Sequence, residues 1–83
     1  MSLEYYKKQM VDLRAKLQKE KDAKKKDNEY YARMVKFAST PSGKASYRKS
    51  KIDHAASHDR QIESIKRQIE SCKESIDRER KRK

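Results

Sequence analysis

Ser39-Thr40-Pro41-Ser42-Gly43 contains the only proline and the only glycine of an 83-residue chain, and it lies at the midpoint. Proline breaks a helix interior because it has no amide hydrogen and its ring clashes with the preceding turn. Thr40 followed by Pro41 is a favourable pair for an N-cap and a first helical residue. The segment therefore predicts two helices and a short turn, with helix 1 over 1–39, the turn over 40–43 and helix 2 over 44–83.

Apolar residues recur every three or four positions on both sides of this turn. Such spacing is typical of a helical seam, whereas a strand would alternate every second residue. Folding the chain at its midpoint places apolar ends against each other, with Leu13 opposite Ile69 and Met10 opposite Cys72. We therefore predict an all-α fold, an antiparallel hairpin of two long helices in a coiled coil. The seam residues are Leu3, Tyr6, Met10, Leu13 and Leu17 in helix 1, and Ile62, Ile65, Ile69, Cys72 and Ile76 in helix 2.

The middle of the same seam is polar. Glu20, Lys24 and Asp27 continue the spacing in helix 1 and face the stretch 55–63 of helix 2. His58 is expected to fill a polar layer there, hydrogen-bonded to Glu20 or Asp27, and a polar layer can fix register at some cost in stability. His54 lies one turn away, but a metal ion needs three or four converging ligands, so no metal site is predicted.

The composition argues against an enzyme. Charged residues make up 45% of the chain and apolar residues 33%, and a chain this small buries little surface. No catalytic residue and no cofactor are predicted, and Cys72 is expected to be a small buried apolar residue. The apolar runs are too short for a membrane span or a signal peptide, so we expect a cytoplasmic protein. The basic run at the C-terminus has no helix stop signal, which suggests a fragment of a longer chain.

The two ends of the hairpin carry more apolar surface than one seam can bury. Unburied apolar surface marks an association site, and two hairpins packing as a four-helix bundle would cover it. The expected function is therefore non-enzymatic self-association as a homodimer, or binding of a partner, that clusters an attached or partner effector. The predicted interface consists of Leu13, Leu17, Tyr31, Met34, Phe37, Ile62, Ile65, Ile69 and Ile76.

The positive charge supports a second hypothesis. The formal net charge is +11, and clustered Lys and Arg attract polyanions. A basic helical protein that binds nucleic acid non-specifically is therefore the alternative function. Its expected contacts are Lys24, Lys25, Lys26, Arg80, Lys81 and Arg82.

Three segments together resemble the N-terminal Lys/Glu-rich helical hairpins of bacterial signalling and phage-defence proteins, including some with Toll/interleukin-1 receptor domains. These segments are Tyr5-Tyr6 with Leu13 and Leu17, the turn 39–43, and Ile62–Ile76 running into 78–83. The resemblance implies an oligomerising or sensing accessory module whose effector domain is absent here, and it transfers no active-site residue. Small helical hairpins that escort secreted bacterial toxins are also similar, although those often carry Trp-x-Gly at the turn and this chain has no Trp.

Overall fold

Two long antiparallel helices make up the molecule. A computed structural model describes residues 3–82, in which α1 runs Leu3–Phe37 and α2 runs Pro41–Lys81. The rod measures 66 Å by 14 Å by 13 Å, so both ends of the described chain lie at one end and the turn at the other. The predicted all-α helical hairpin is confirmed. The predicted helix ends at Met1 and Lys83 lie outside the described residues.

The turn is formed by Thr40 and Pro41. Thr40 is extended (φ −121°, ψ 150°), as the residue before a proline prefers to be, and its Oγ1 accepts a 3.0 Å hydrogen bond from the Gly43 amide. This N-cap satisfies an amide of the first helical turn. Pro41 is the first helical residue because its fixed φ suits that position. The turn spans 38–40, so the assignment of 38–39 to helix 1 and of 41–43 to the turn was wrong.

Gly43 packs closely against the turn. A side-chain carbon added there would lie 3.0 Å from the Thr40 hydroxyl oxygen and 3.6 Å from the Ala38 Cβ. The space is thus filled by the cap itself, which explains why the only glycine of the chain stands inside the first turn of α2.

The seam follows the predicted spacing along both helices. Met10, Ile69 and Cys72 form the centre of an apolar cluster, and the Cys72 thiol donates a 3.1 Å hydrogen bond to the Tyr6 carbonyl. The seam positions of α1 from Leu3 to Met34 and of α2 from Lys51 to Glu79 are partly or fully buried, which is the 3-4 pattern of a coiled coil with a 3.5-residue repeat. The residues packed against the cluster are Tyr6, Leu13, Leu17, Ile65 and Ile76.

The core is thin because each helix has only one neighbour. Within residues 3–82, four side chains are buried, namely Met10, Ile62, Ile69 and Cys72. Five large apolar residues are exposed, namely Tyr5, Val11, Tyr30, Phe37 and Ile52. Neither α1 nor α2 has a stretch long and apolar enough to cross a membrane.

Candidate functional site

A charged layer crosses the seam where the apolar cluster ends. His58 of α2 lies between two carboxylates of α1, with its Nδ1 2.6 Å from Glu20 Oε1 and its Nε2 2.6 Å from Asp27 Oδ2. The side chain of His58 is 18% exposed, the least exposed of the three. Glu20 and Asp27 are seven residues apart, two turns of one helix face, so His58 bridges both turns. The predicted hydrogen bond of His58 to Glu20 or Asp27 is confirmed, and both carboxylates take part.

This geometry favours the charged form of the histidine. A neutral imidazole has one N–H and cannot donate from both nitrogens, whereas the imidazolium donates from both. The hydrogen bond to Glu20 raises the pKa of His58 above its ordinary value, and the bond to Asp27 acts in the same direction. The hydrogen bond from His58 in turn lowers the pKa of Asp27, against a smaller opposing effect of burial. The layer is therefore most stable with His58 protonated and Asp27 ionised.

Polar contacts extend the layer toward the turn and to the surface. His54 Nδ1 lies 3.6 Å from the same Asp27 oxygen, and His54 Nε2 lies 3.1 Å from the Tyr31 hydroxyl. On the other edge, Lys24 Nζ lies 2.6 Å from Asp59 Oδ1. This last pair is solvent-accessible, and such pairs contribute little to stability. The pair is still informative, because it shows which residues of the two helices are level with each other.

The layer is built to hold register. Both ring nitrogens of His58 are occupied by carboxylates on opposite edges of the ring, whereas a metal ligand leaves one nitrogen for the ion. Among residues 3–82, no group of three His, Cys, Asp or Glu side chains could hold a metal ion. Sliding one helix by a turn would bring His58 level with one carboxylate and separate it from the other, so the contact with both is made in this register.

The nine predicted interface residues fall into two groups. Ile62 and Ile69 are buried and Ile65 and Ile76 partly buried between the helices of a single chain, so the isoleucine seam is the intramolecular contact. Leu13, Leu17, Tyr31 and Met34 are also partly covered within the hairpin. Phe37, at the end of α1, is the one member of the nine that is largely exposed, at 75%.

The two predicted basic clusters do not form patches. Consecutive residues of a helix point about 100° apart, so Lys24, Lys25 and Lys26 face three directions, and Lys24 is the partner of Asp59. Arg80, Lys81 and Arg82 diverge in the same way. A run of adjacent cations in a helix therefore does not indicate a shared binding surface.

Sequence reasoning missed the difference between the two sides of the rod. In heptad notation the seam occupies positions a and d, and positions e and g form the two flanks. One flank, which we call the low-charge flank, consists of the g positions. Its members line shared grooves: Gln9, Lys16, Gln68 and Ser75 line one groove, and Phe37 and Tyr47 line another. Its residues are Gln9, Lys16, Ala23, Tyr30 and Phe37 of α1, and Tyr47, His54, Gln61, Gln68 and Ser75 of α2.

The opposite flank, formed by the e positions, is basic over the half of the rod away from the turn. We call the six cations at these e positions the basic flank. The signal was present in the heptad assignment, because sorting the charges by position separates the two flanks without a structure. The basic flank consists of Lys7, Arg14, Lys21, Lys66, Lys73 and Arg80.

The comparisons with known proteins give no relative. No protein-family model, no curated protein and no solved structure matches the chain.

Proposed function

We propose that this chain is a non-enzymatic helical module that self-associates, two hairpins packing as a four-helix bundle. Self-association would bring together effectors that are attached to the module or bound by it. The same role is implied by the resemblance to the N-terminal hairpins of bacterial signalling and phage-defence proteins. An effector domain, a homodimer and a cytoplasmic location are all parts of this proposal.

The observation that carries the proposal is the imbalance between buried and exposed apolar side chains. A two-helix rod covers one face of each helix, and helices gain most of their stability from tertiary packing of that face. Within residues 3–82 four side chains are buried, while Tyr30 and Phe37 are 48% and 75% exposed. If a second copy covers such residues, each Å² of apolar surface removed from water stabilises the dimer by about 25 cal/mol.

The low-charge flank is the better face for a second copy. Each chain carries a net charge of +11, so two copies repel each other unless the contact avoids the cations. Within α1 and α2 the low-charge flank has one cation, Lys16, with Arg82 at the next g position just beyond α2, and it carries Tyr30, Phe37 and Tyr47 toward the turn. Packing through this flank separates the two basic flanks. A dimer of this kind is strengthened by salt, because screening reduces the repulsion.

The test compares two exposed apolar residues on opposite flanks. Phe37→Ser removes an aromatic ring from the low-charge flank, and Ile52→Ser removes a residue of similar exposure from the other flank. Burying a phenylalanine contributes about 1.5–3 kcal/mol, and a symmetric dimer loses two. We therefore expect Phe37→Ser to weaken the dimer by about 3 kcal/mol, or roughly 100-fold in Kd, and Ile52→Ser to leave it intact.

Molar mass by light scattering over a concentration series is the readout, with circular dichroism to show that both variants remain helical. A parent chain that is monomeric at every concentration would overturn self-association and favour a separate partner, such as a secreted toxin. Equal weakening by the two variants would overturn the choice of flank.

A further inference from the structure

The basic flank forms a continuous row of cations on one side of the rod. Its members are spaced by seven residues on each helix, so in a coiled coil with a 3.5-residue repeat they stay aligned along the axis. Gln9, Lys16, Gln68 and Ser75 line one groove, which shows that the g positions of both helices lie together on the side of the rod opposite the basic flank. All six members of the basic flank are exposed.

The two helices contribute cations alternately. The Lys24–Asp59 contact sets which residues are level, and from it Lys66 lies between Arg14 and Lys21 along the axis. Continuing outward, successive cations are three or four residues apart, which corresponds to steps of about 5 Å. The row from Lys21 to Arg80 is thus about 27 Å long. Over that length of duplex axis each strand carries about eight phosphates, and because the strand winds around the axis the row faces those on one side of the duplex.

Acidic residues are kept out of the row but border it. Asp59 is the one carboxylate at an e position within residues 3–82, and Lys24 pairs with it. None of the ion pairs within 4 Å in this part of the chain involves the six cations. One helix position farther out, α2 carries Glu63, Glu70 and Asp77. The positive strip is therefore narrow and linear.

A narrow strip fits one kind of polyanion better than another. A flat anionic bilayer laid on this side would meet the acidic row of α2 together with the cations, whereas a single phosphodiester strand can follow the cations alone. We propose that the basic flank binds the phosphodiester backbone of nucleic acid, without preference for base sequence. Phosphate contacts position a protein on nucleic acid and carry no sequence information directly. The basic flank is separate from the low-charge flank, so this binding and self-association use different sides of the rod.

The experiment compares two variants of α1, one that removes three positive charges from the basic flank and one that removes three from other exposed positions. The strip variant is Lys7→Gln/Arg14→Gln/Lys21→Gln, and the matched control is Lys8→Gln/Lys19→Gln/Lys26→Gln. Both sets are exposed positions of α1, and both variants end with the same net charge. Glutamine is a good helix former, so the helices are expected to persist. Circular dichroism checks this before binding is measured.

Binding is measured by fluorescence anisotropy with the full chain and a labelled 20-base-pair DNA duplex over a range of salt concentrations. An RNA duplex of the same sequence is titrated in parallel, and binding of either duplex through the strip supports the proposal. If the strip contacts phosphates, the strip variant reduces the slope of log K against log salt by about 2.7, whereas the control reduces it by less than about 1. At 100 mM salt the strip variant is expected to bind at least 10-fold more weakly than the control.

Three results would overturn the proposal. The first is no binding of the parent chain to either duplex at low salt. The second is an equal loss in the strip and control variants, since that is the behaviour of diffuse charge. The third is strip-dependent binding to vesicles containing phosphatidylserine while the duplex affinities stay unchanged, which would assign the basic flank to membranes. The molar mass of the strip variant is measured as well, because loss of DNA binding with an unchanged dimer separates this proposal from self-association.

Discussion

The contrast between Ile69 and Ile52 gives the sharpest test of the packing. Both are isoleucines inside α2, but Ile69 is 9% exposed in the apolar cluster and Ile52 is 68% exposed. Isoleucine to alanine at a buried site costs about 2–5 kcal/mol. The thin rod lets neighbours relax around the gap, so the lower part of that range, about 2–3 kcal/mol, is expected at Ile69. At Ile52 little burial is lost, and the better helix propensity of alanine, a few tenths of a kcal/mol, offsets it.

The propensity gain is the same at both sites, so the difference between the two variants isolates burial. We expect Ile69→Ala to lower the free energy of unfolding by about 2 kcal/mol more than Ile52→Ala does, which corresponds to a Tm lower by about 10 °C in a domain of this size. The assay is urea unfolding followed by far-ultraviolet circular dichroism at several protein concentrations. Equal destabilisation by the two substitutions would refute the assignment of Ile69 to the core and Ile52 to the surface.

Three further predictions concern the charged layer, the cap and the cysteine. The pKa of His58 is raised from 6.5, so its contribution to the free energy of unfolding is complete below pH 6.5 and is lost as the pH rises through the higher folded-state pKa. The pKa of Asp27 is lowered from 3.8, so its contribution to the free energy of unfolding is lost only as the pH falls through the lower folded-state pKa. Thermal melts should therefore give a higher Tm at pH 6 than at pH 8, and His58→Gln should remove most of that difference; superimposable parent melts would contradict the layer. Thr40→Ala should reduce stability by about 1 kcal/mol through loss of the N-cap bond, whereas Thr40→Ser should retain it in the same urea assay. Cys72 is 5% exposed, so a thiol reagent should label it slowly in the native chain and quickly in urea, and rapid native labelling would count against its buried position.

The fold was predictable because its determinants are local. A single proline and glycine at the midpoint left one place for the chain to reverse, and the 3-4 spacing then fixed which face of each helix turned inward. The polar layer was also predictable, since folding at the midpoint puts His58 opposite Glu20 and Asp27. Its full geometry was not, because whether a ring meets one carboxylate or two depends on rotamers and axial position.

The surfaces were harder to predict than the seam. The expected interface combined seam isoleucines with turn residues, because periodicity identifies apolar residues without telling whether the same chain already covers them. Ile62 and Ile69 are covered by α1, and Phe37 is not. The basic clusters were sought as consecutive residues, whereas a helix brings together cations seven apart.

Because the chain reverses once, Leu3 and Arg82 lie at the same end of a rod 66 Å long, and the bend lies at the other end. A dye attached near either terminus thus reports the sense of pairing directly. If two rods lie side by side with their bends together, dyes on separate copies transfer energy efficiently; if they lie head to tail, the dyes are a full rod length apart. The same geometry would decide whether the effectors of the proposed function are held close together or a full rod length apart.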